Sequence, residues 1–204
     1  MSNGKKLLYK YVLLSLLGAM GVILMNFIQI PYPIAPFLKI EISDFIVVLV
    51  FLVFGVKEAI LVALIKTAGN FMMGPVGPFG IGQIIAFLVS LSYIFCMYLS
   101  GKIVKTDKGI FKMCKYVFTV AFVTILMTIL NYFILTPIYL GELSFVDMKN
   151  DALAKLINIT GINSYLLSII VLFVPFNFLK GSLVAIFSYL LGDVFIELYK
   201  EKMR

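Results

Sequence analysis

Apolar residues run through this chain in blocks too long for the buried stripe of a soluble helix. Each block is closed by charged residues or by glycine and proline. Six blocks stand out, at roughly 8–30, 44–55, 57–72, 82–101, 114–137 and 164–196. About 20 consecutive apolar residues carry a helix across bilayer hydrocarbon. The pattern therefore predicts an all-α, polytopic membrane protein with six transmembrane helices, residues 1–204 forming a single domain. The second and third blocks are short and nearly fused, parted only by Gly55, Val56, Lys57 and Glu58. Such irregularity is tolerated at membrane depth where backbone lines a protein cavity rather than lipid.

Composition points the same way. Hydrophobic residues make up 62% of the chain, charged ones 13%, and the mean hydropathy is +1.10; a soluble domain has about 45–50% apolar and 25% charged residues. The charges are also segregated. Lys5, Lys6 and Lys10 precede the first block and Lys57 lies in the second turn. Lys102, Lys105, Lys108, Lys112 and Lys115 fill the fourth loop, and Lys200, Lys202 and Arg204 end the chain, so twelve of the seventeen basic residues fall on one side. Lys39, Lys149 and Lys155 fall on the other, and Lys66 and Lys180 lie within blocks. The positive-inside rule then places both termini in the cytoplasm. The net charge of +7 belongs to these loops and does not point to nucleic acid. A basic start before an apolar run also suits a signal peptide, but the first block is too long, lacks a small-residue exit and is followed by further spans.

Polar residues inside the blocks carry the candidate chemistry. The last block holds Pro175, Asn177 and Lys180 at its centre. A mid-span lysine is expensive in lipid and by default faces the protein interior for a functional reason. Asn177 and Lys180 are three apart and share a helix face, while Pro175 removes a backbone donor and is expected to kink the helix and open a pocket. Asn131 lies inside the fifth block. Two asparagines and a lysine offer donors and acceptors suited to the polar edge of a flat heteroaromatic molecule. Structural readings stand beside this one: Lys180 can snorkel or pair internally, and either asparagine can bridge two helices.

Two loops and one helix face add to the picture. The run Ile30 to Ile40, with Pro31, Pro33 and Pro36 among aromatics, is expected to be stiff and extended, as the wall or lid of a pocket or as an interfacial anchor. Gly74 to Gly82 is glycine-rich but lacks the lysine and hydroxyl of a phosphate loop, leaving a gate or a plain turn. Ser15 and Ala19 form a small-xxx-small pair on the first helix, with Gly18 and Gly21 beside them, suited to close packing inside the protein or against a partner helix.

The absences narrow the class. The chain has no Walker A sequence and no histidine. Its two cysteines, Cys96 and Cys114, are isolated, so no disulfide framework or common metal site is expected. Asp44 and Glu58 mark helix starts and Asp193 and Glu197 a helix end, so carboxylates are nearly missing from the spans and no inverted repeat is apparent. A self-sufficient pump and an intramembrane enzyme are disfavoured.

The segments Pro36 to Asp44, Asn131-Tyr132-Phe133 through Pro137 and Tyr139, and Pro175-Phe176-Asn177-Phe178-Leu179-Lys180-Gly181 give the chain a nearly end-to-end resemblance to the S components of energy-coupling factor (ECF) vitamin transporters, in particular the riboflavin-specific ones. The resemblance implies a six-helix, non-enzymatic subunit of a prokaryotic cell membrane that captures riboflavin, or its phosphate ester FMN, as cargo rather than cofactor. It also implies release inward when the subunit docks to a transmembrane coupling protein and two ABC-type ATPase subunits. On that reading Asn131, Asn177 and Lys180 hold the flavin ring. Leu38 and Tyr132 join the substrate-binding set, Gln83 is the candidate for the ribityl chain, and Ser15 and Ala19 meet the coupling protein. The sequence departs from the family in having Asp44-Phe45-Ile46 for Asp-x-Pro, Gln83 where glutamate is common, and Ser15 where the helix face usually carries alanine. The rival readings are a stand-alone facilitator, an S component for another small heterocyclic vitamin, and a membrane scaffold.

Overall fold

The structure, a computed structural model, describes residues 3–77, 80–106, 109–140 and 148–203. Pro78, Phe79, Lys108, Arg204 and the side chain of Lys149 lie outside the described residues. Helix α1 (Asn3–Phe27) leads into a hairpin of β1 (Gln29–Tyr32) and β2 (Ala35–Glu41). Then come α2 (Asp44–Phe54), α3 (Val56–Met73), α4 (Ile81–Ile103) and α5 (Gly109–Leu130). A π-helical turn, Asn131–Leu135, joins α5 to the short α6 (Thr136–Leu140), and α7 (Met148–Thr160) and α8 (Tyr165–Met203) complete the chain.

The six predicted blocks are mainly helical, but the chain is not all-α, and length and composition alone account for only part of the six-span expectation. The prolines of the 30–40 run do give extended backbone, and that backbone pairs as an antiparallel hairpin, Gln29 with Glu41 and Ile30 with Ile40. The register slips between Pro31 and Tyr32, where proline has no N–H to donate to a ladder. Among the described residues, four helical stretches are long and apolar enough to cross a membrane: Asn3–Phe27, Ile81–Ile103, Gly109–Tyr139 and Tyr165–Lys202. Helix α2 has 11 residues, about 16 Å at 1.5 Å per residue, against roughly 30 Å of hydrocarbon. Helix α3 carries Lys57, Glu58 and Lys66, and α7 was not expected at all. It is weakly apolar and lies beside α6 and α8.

The core is organised around α2. Its residues Asp44 to Val50 are all buried, because α1, α3, α4 and α8 pack around it. Helices α1 and α3 approach through glycine: a Cβ on Gly18 would sit 2.5 Å from Ile65 Cγ2, and one on Gly69 2.5 Å from Val22 Cγ2. A second cluster seats the hairpin, with Tyr32, Ala35 and Ile40 against Leu156, Leu172, Phe173 and Phe176 of α7 and α8. The rings of Tyr32 and Phe176 meet edge to face at 5.4 Å. Helix α8 runs unbroken through Pro175.

A candidate binding cavity between the hairpin and the helices

A cavity of about 280 Å³ opens where the hairpin, the 74–77 loop and the ends of α1, α3, α4, α5 and α8 converge. That is near the lower end of roughly 300–1,000 Å³ typical of small-molecule sites. Much of its wall is apolar, with Phe37, Leu38, Leu135, Tyr139, Phe173 and Phe176 among its members. Phe37 of β2 and Tyr139 of α6 stack with centroids 5.9 Å apart. Polar groups come from every side: Gln29, Lys39 and Glu41 from the hairpin, Asn70 from α3, Asn131 and Thr136 from the α5–α6 junction, and Lys180 from α8.

Of the residues expected at the site, the fold brings Leu38, Asn131 and Lys180 to this cavity. Asn131 opens the π-helical turn. Its Nδ2 donates to the Met127 carbonyl at 2.7 Å, and its Oδ1 accepts from Thr136 Oγ1 at 3.2 Å. The inserted residue of a π turn re-aims side chains, and such turns recur at functional sites. Lys180 Nζ donates to Glu41 Oε1 at 2.7 Å and lies 3.1 Å from Asp44 Oδ2. Lys180 thus makes a buried ion pair, while its position on the cavity wall keeps it within reach of a ligand.

Three other expected residues stand off the cavity wall. Asn177 is buried, and its Nδ2 has no protein hydrogen-bond partner. Tyr132 packs edge to face with Phe133 and against Tyr165, whose hydroxyl donates to the Tyr132 carbonyl at 3.1 Å. Gln83 ties the wall together. Its Nε2 donates to Asn70 Oδ1 at 2.8 Å and to the Gly74 carbonyl at 3.0 Å, and its Oε1 accepts from Val76 N at 3.0 Å. Asn70 Nδ2 in turn donates to Asn26 Oδ1 at 2.9 Å. This amide chain pins the 74–77 loop to α1, α3 and α4. Ser15 and Ala19 are exposed on α1, whereas Gly18 and Gly21 face inward.

Sequence reasoning took Asp44 as a helix start and gave Glu41 no role of its own, yet both are buried among the charges. Asp44 Oδ1 accepts from Lys66 Nζ and from Ser90 Oγ, each at 2.6 Å. Lys66 Nζ also donates to Ser43 Oγ at 3.0 Å, and Glu41 Oε2 accepts from Ser43 N at 2.7 Å. The available signal was Lys66 itself, a lysine inside an apolar run like Lys180, which implies a nearby anion.

Fold and cavity together fit a membrane-embedded protein with a pocket of small-molecule size. The sequence matches the family described as ECF transporter, substrate-specific component, over residues 8–192, and the chain belongs to that family. It is similar to the riboflavin transporter RibU of Staphylococcus aureus, 31% identical over 195 residues, covering 94% of this chain and 88% of that protein. It is also similar to the riboflavin transporter FmnP of Bacillus subtilis, 28% identical over 179 residues, covering 87% and 86%. A solved S component of a bacterial ECF transporter superposes with a TM-score of 0.61 at 26% identity, covering 99% of this chain and 97% of that one.

Proposed function

We propose that this chain is the riboflavin-binding S component of an ECF uptake transporter: it captures the vitamin outside the cell and releases it inward once docked to a transmembrane coupling protein and two ABC-type ATPase subunits. The observation that carries the reading is a single cavity whose lining combines aromatic and aliphatic side chains with the polar groups of Asn131, Thr136, Glu41 and Lys180. A flavin has the matching shape, an apolar dimethylbenzene edge and a pyrimidine edge of carbonyls and an imide N–H. The names of the relatives in S. aureus and B. subtilis support the same ligand. Asn177, with an amide donor unclaimed by protein and placed one turn from Lys180 on α8, fits the ring-binding role after a small local adjustment. FMN is an alternative cargo of the same chemistry. Residues 1–204 act as one domain with six membrane-crossing segments, the short α2 and α3 each counting as one, and with both termini cytoplasmic.

On this reading the ligand orders the 30–44 and 73–82 segments, of which Pro78 and Phe79 lie outside the described residues, and this changes the surface offered to the coupling protein. The deciding experiment is the visible absorption spectrum of the purified protein in detergent, with any released ligand identified by chromatography. The expected outcome is a yellow protein yielding riboflavin at about one per chain, in keeping with one enclosed pocket, and a paler Asn131→Ala variant. A colourless protein that also ignores added riboflavin would sink the assignment. Cleavage of the two segments by a protease should slow when ligand is added; identical patterns would count against their ordering.

A further inference from the structure

Lys66 does not line the candidate cavity, yet among the described residues it heads the largest side chains that are fully buried. Burying an ammonium carries a large desolvation penalty, so its surroundings must compensate. They do so through a closed charge balance: Lys66 and Lys180 contribute two positive charges, Glu41 and Asp44 two negative ones. Gly21 of α1 makes room for the arrangement, since a Cβ there would stand 3.1 Å from Lys66 Cγ.

The four groups divide by position. Lys180 and Glu41 face the cavity, and Lys66 and Asp44 lie behind them. The Asp44 carboxylate reaches in both directions, Oδ1 to Lys66 at 2.6 Å and Oδ2 to within 3.1 Å of Lys180. An uncompensated Asp44, already within 3.1 Å of Lys180, would attract its ammonium more strongly and draw it from the cavity. We propose that Lys66 is a positioning residue for ligand binding: it satisfies Asp44 and thereby leaves Lys180, paired with Glu41, aimed at the bound molecule. This rests on the cavity being the riboflavin site.

The test uses the full chain, riboflavin as probe, and ligand-free melting measured alongside affinity. Lys66→Met leaves one lysine between two carboxylates and should weaken riboflavin binding about tenfold or more. Asp44→Asn strips Lys66 of its partner but leaves the Lys180–Glu41 pair whole. It should melt lower yet bind within about threefold of the parent. The double variant Lys66→Met/Asp44→Asn restores neutrality, so both melting and affinity should return towards parent values. A pH series separates positioning from general damage. The ionisable groups facing the cluster are Glu41 from β2, Asp44 from α2, Tyr93 from α4 and Lys180 from α8. In Lys66→Met, protonation of one carboxylate rebuilds the balance. Its binding should therefore tighten as the pH is lowered, more than the parent's does.

The proposal is overturned if Lys66→Met binds within about threefold of the parent, if its affinity ignores pH, or if the double variant binds no better than the single. Where Lys66→Met does not fold, a folded double variant with parent-like affinity supports the idea and one about tenfold weaker overturns it. A parent that takes no riboflavin would defeat the ligand assignment instead. Ligand-free melting of the single against the double variant then still decides charge compensation, absence of rescue overturning it.

Discussion

Asn131 and Thr136 show how a single hydrogen bond fixes a donor inside the cavity. The threonine hydroxyl holds the asparagine carbonyl at 3.2 Å while the amide nitrogen is spent on Met127, so the side chain has little freedom left. Thr136→Val keeps the shape but removes that restraint, and loss of one such bond is worth about 0.5–1.5 kcal/mol, or roughly 2- to 10-fold in affinity. On the proposed site Asn131→Leu should cost more, because it removes the amide from the cavity wall altogether; fluorescence titration with riboflavin would rank the two, and equal losses would mean that Thr136 acts on the ligand directly. Lys180 needs a different design. Lys180→Met strands the buried Glu41 carboxylate and should lower stability by about 3–5 kcal/mol, so lost binding in that variant alone says little about ligand contact. Lys180→Met/Glu41→Gln should recover most of the melting temperature and none of the affinity. Lys180 was legible in the sequence because a charge in an apolar run is conspicuous. Glu41 and Asp44 were not, because each lies beside a helix boundary, where a carboxylate is ordinarily solvated, and only the three-dimensional fold shows α2 sunk into the core.

At the scale of elements, glycines set how closely α1 can lie on α3. Gly18→Val or Gly69→Val would drive a side chain into Ile65 or Val22, already 2.5 Å from where a Cβ would stand, and overpacking of that kind costs about 1–3 kcal/mol. A thermal melt in detergent should register either substitution, whereas Gly4→Ala, with nothing within 4 Å, should leave the melt unchanged. The long helices were readable from hydrophobic runs alone, since lipid selects for little else. The hairpin was not. Its prolines signal extended backbone but say nothing of pairing, and the second strand gains its register from contacts with α7 and α8, far off in sequence. Helix α7 escaped notice for the converse reason: it is too polar to read as a span. The inward turn of Gly18 and Gly21, against the outward placing of Ser15 and Ala19 on the same helix, likewise depends on where α3 packs and could not be read from spacing.

For the whole molecule, direction follows from which end carries which feature. The hairpin, the 74–77 loop and the first turn of α8 gather at one end with the cavity. The start of α1, the α2–α3 turn, the α4–α5 loop and the end of α8 gather at the other with most of the lysines. If the basic end faces the cytoplasm, the cavity opens outward, as capture requires. In a background lacking Cys96 and Cys114, cysteines at Pro33 and Asn163 should react with an impermeant maleimide on intact cells. Cysteines at Lys5 and Lys105 should react only after lysis, and the reverse pattern would invert the proposed direction. Delivery then depends on a second surface. Ser15 and Ala19 lie exposed on α1, which leaves a shallow, small-residue strip where another helix can approach closely. Ser15→Leu/Ala19→Leu fills that strip without touching the cavity or the α1–α3 seam. Riboflavin binding should therefore stay within about twofold of the parent, while ATP-driven uptake in vesicles reconstituted with coupling protein and ATPases should fall to background. Uptake that survives the double substitution would move the docking surface elsewhere. Uptake that never needed the ATPases would make this chain a facilitator on its own.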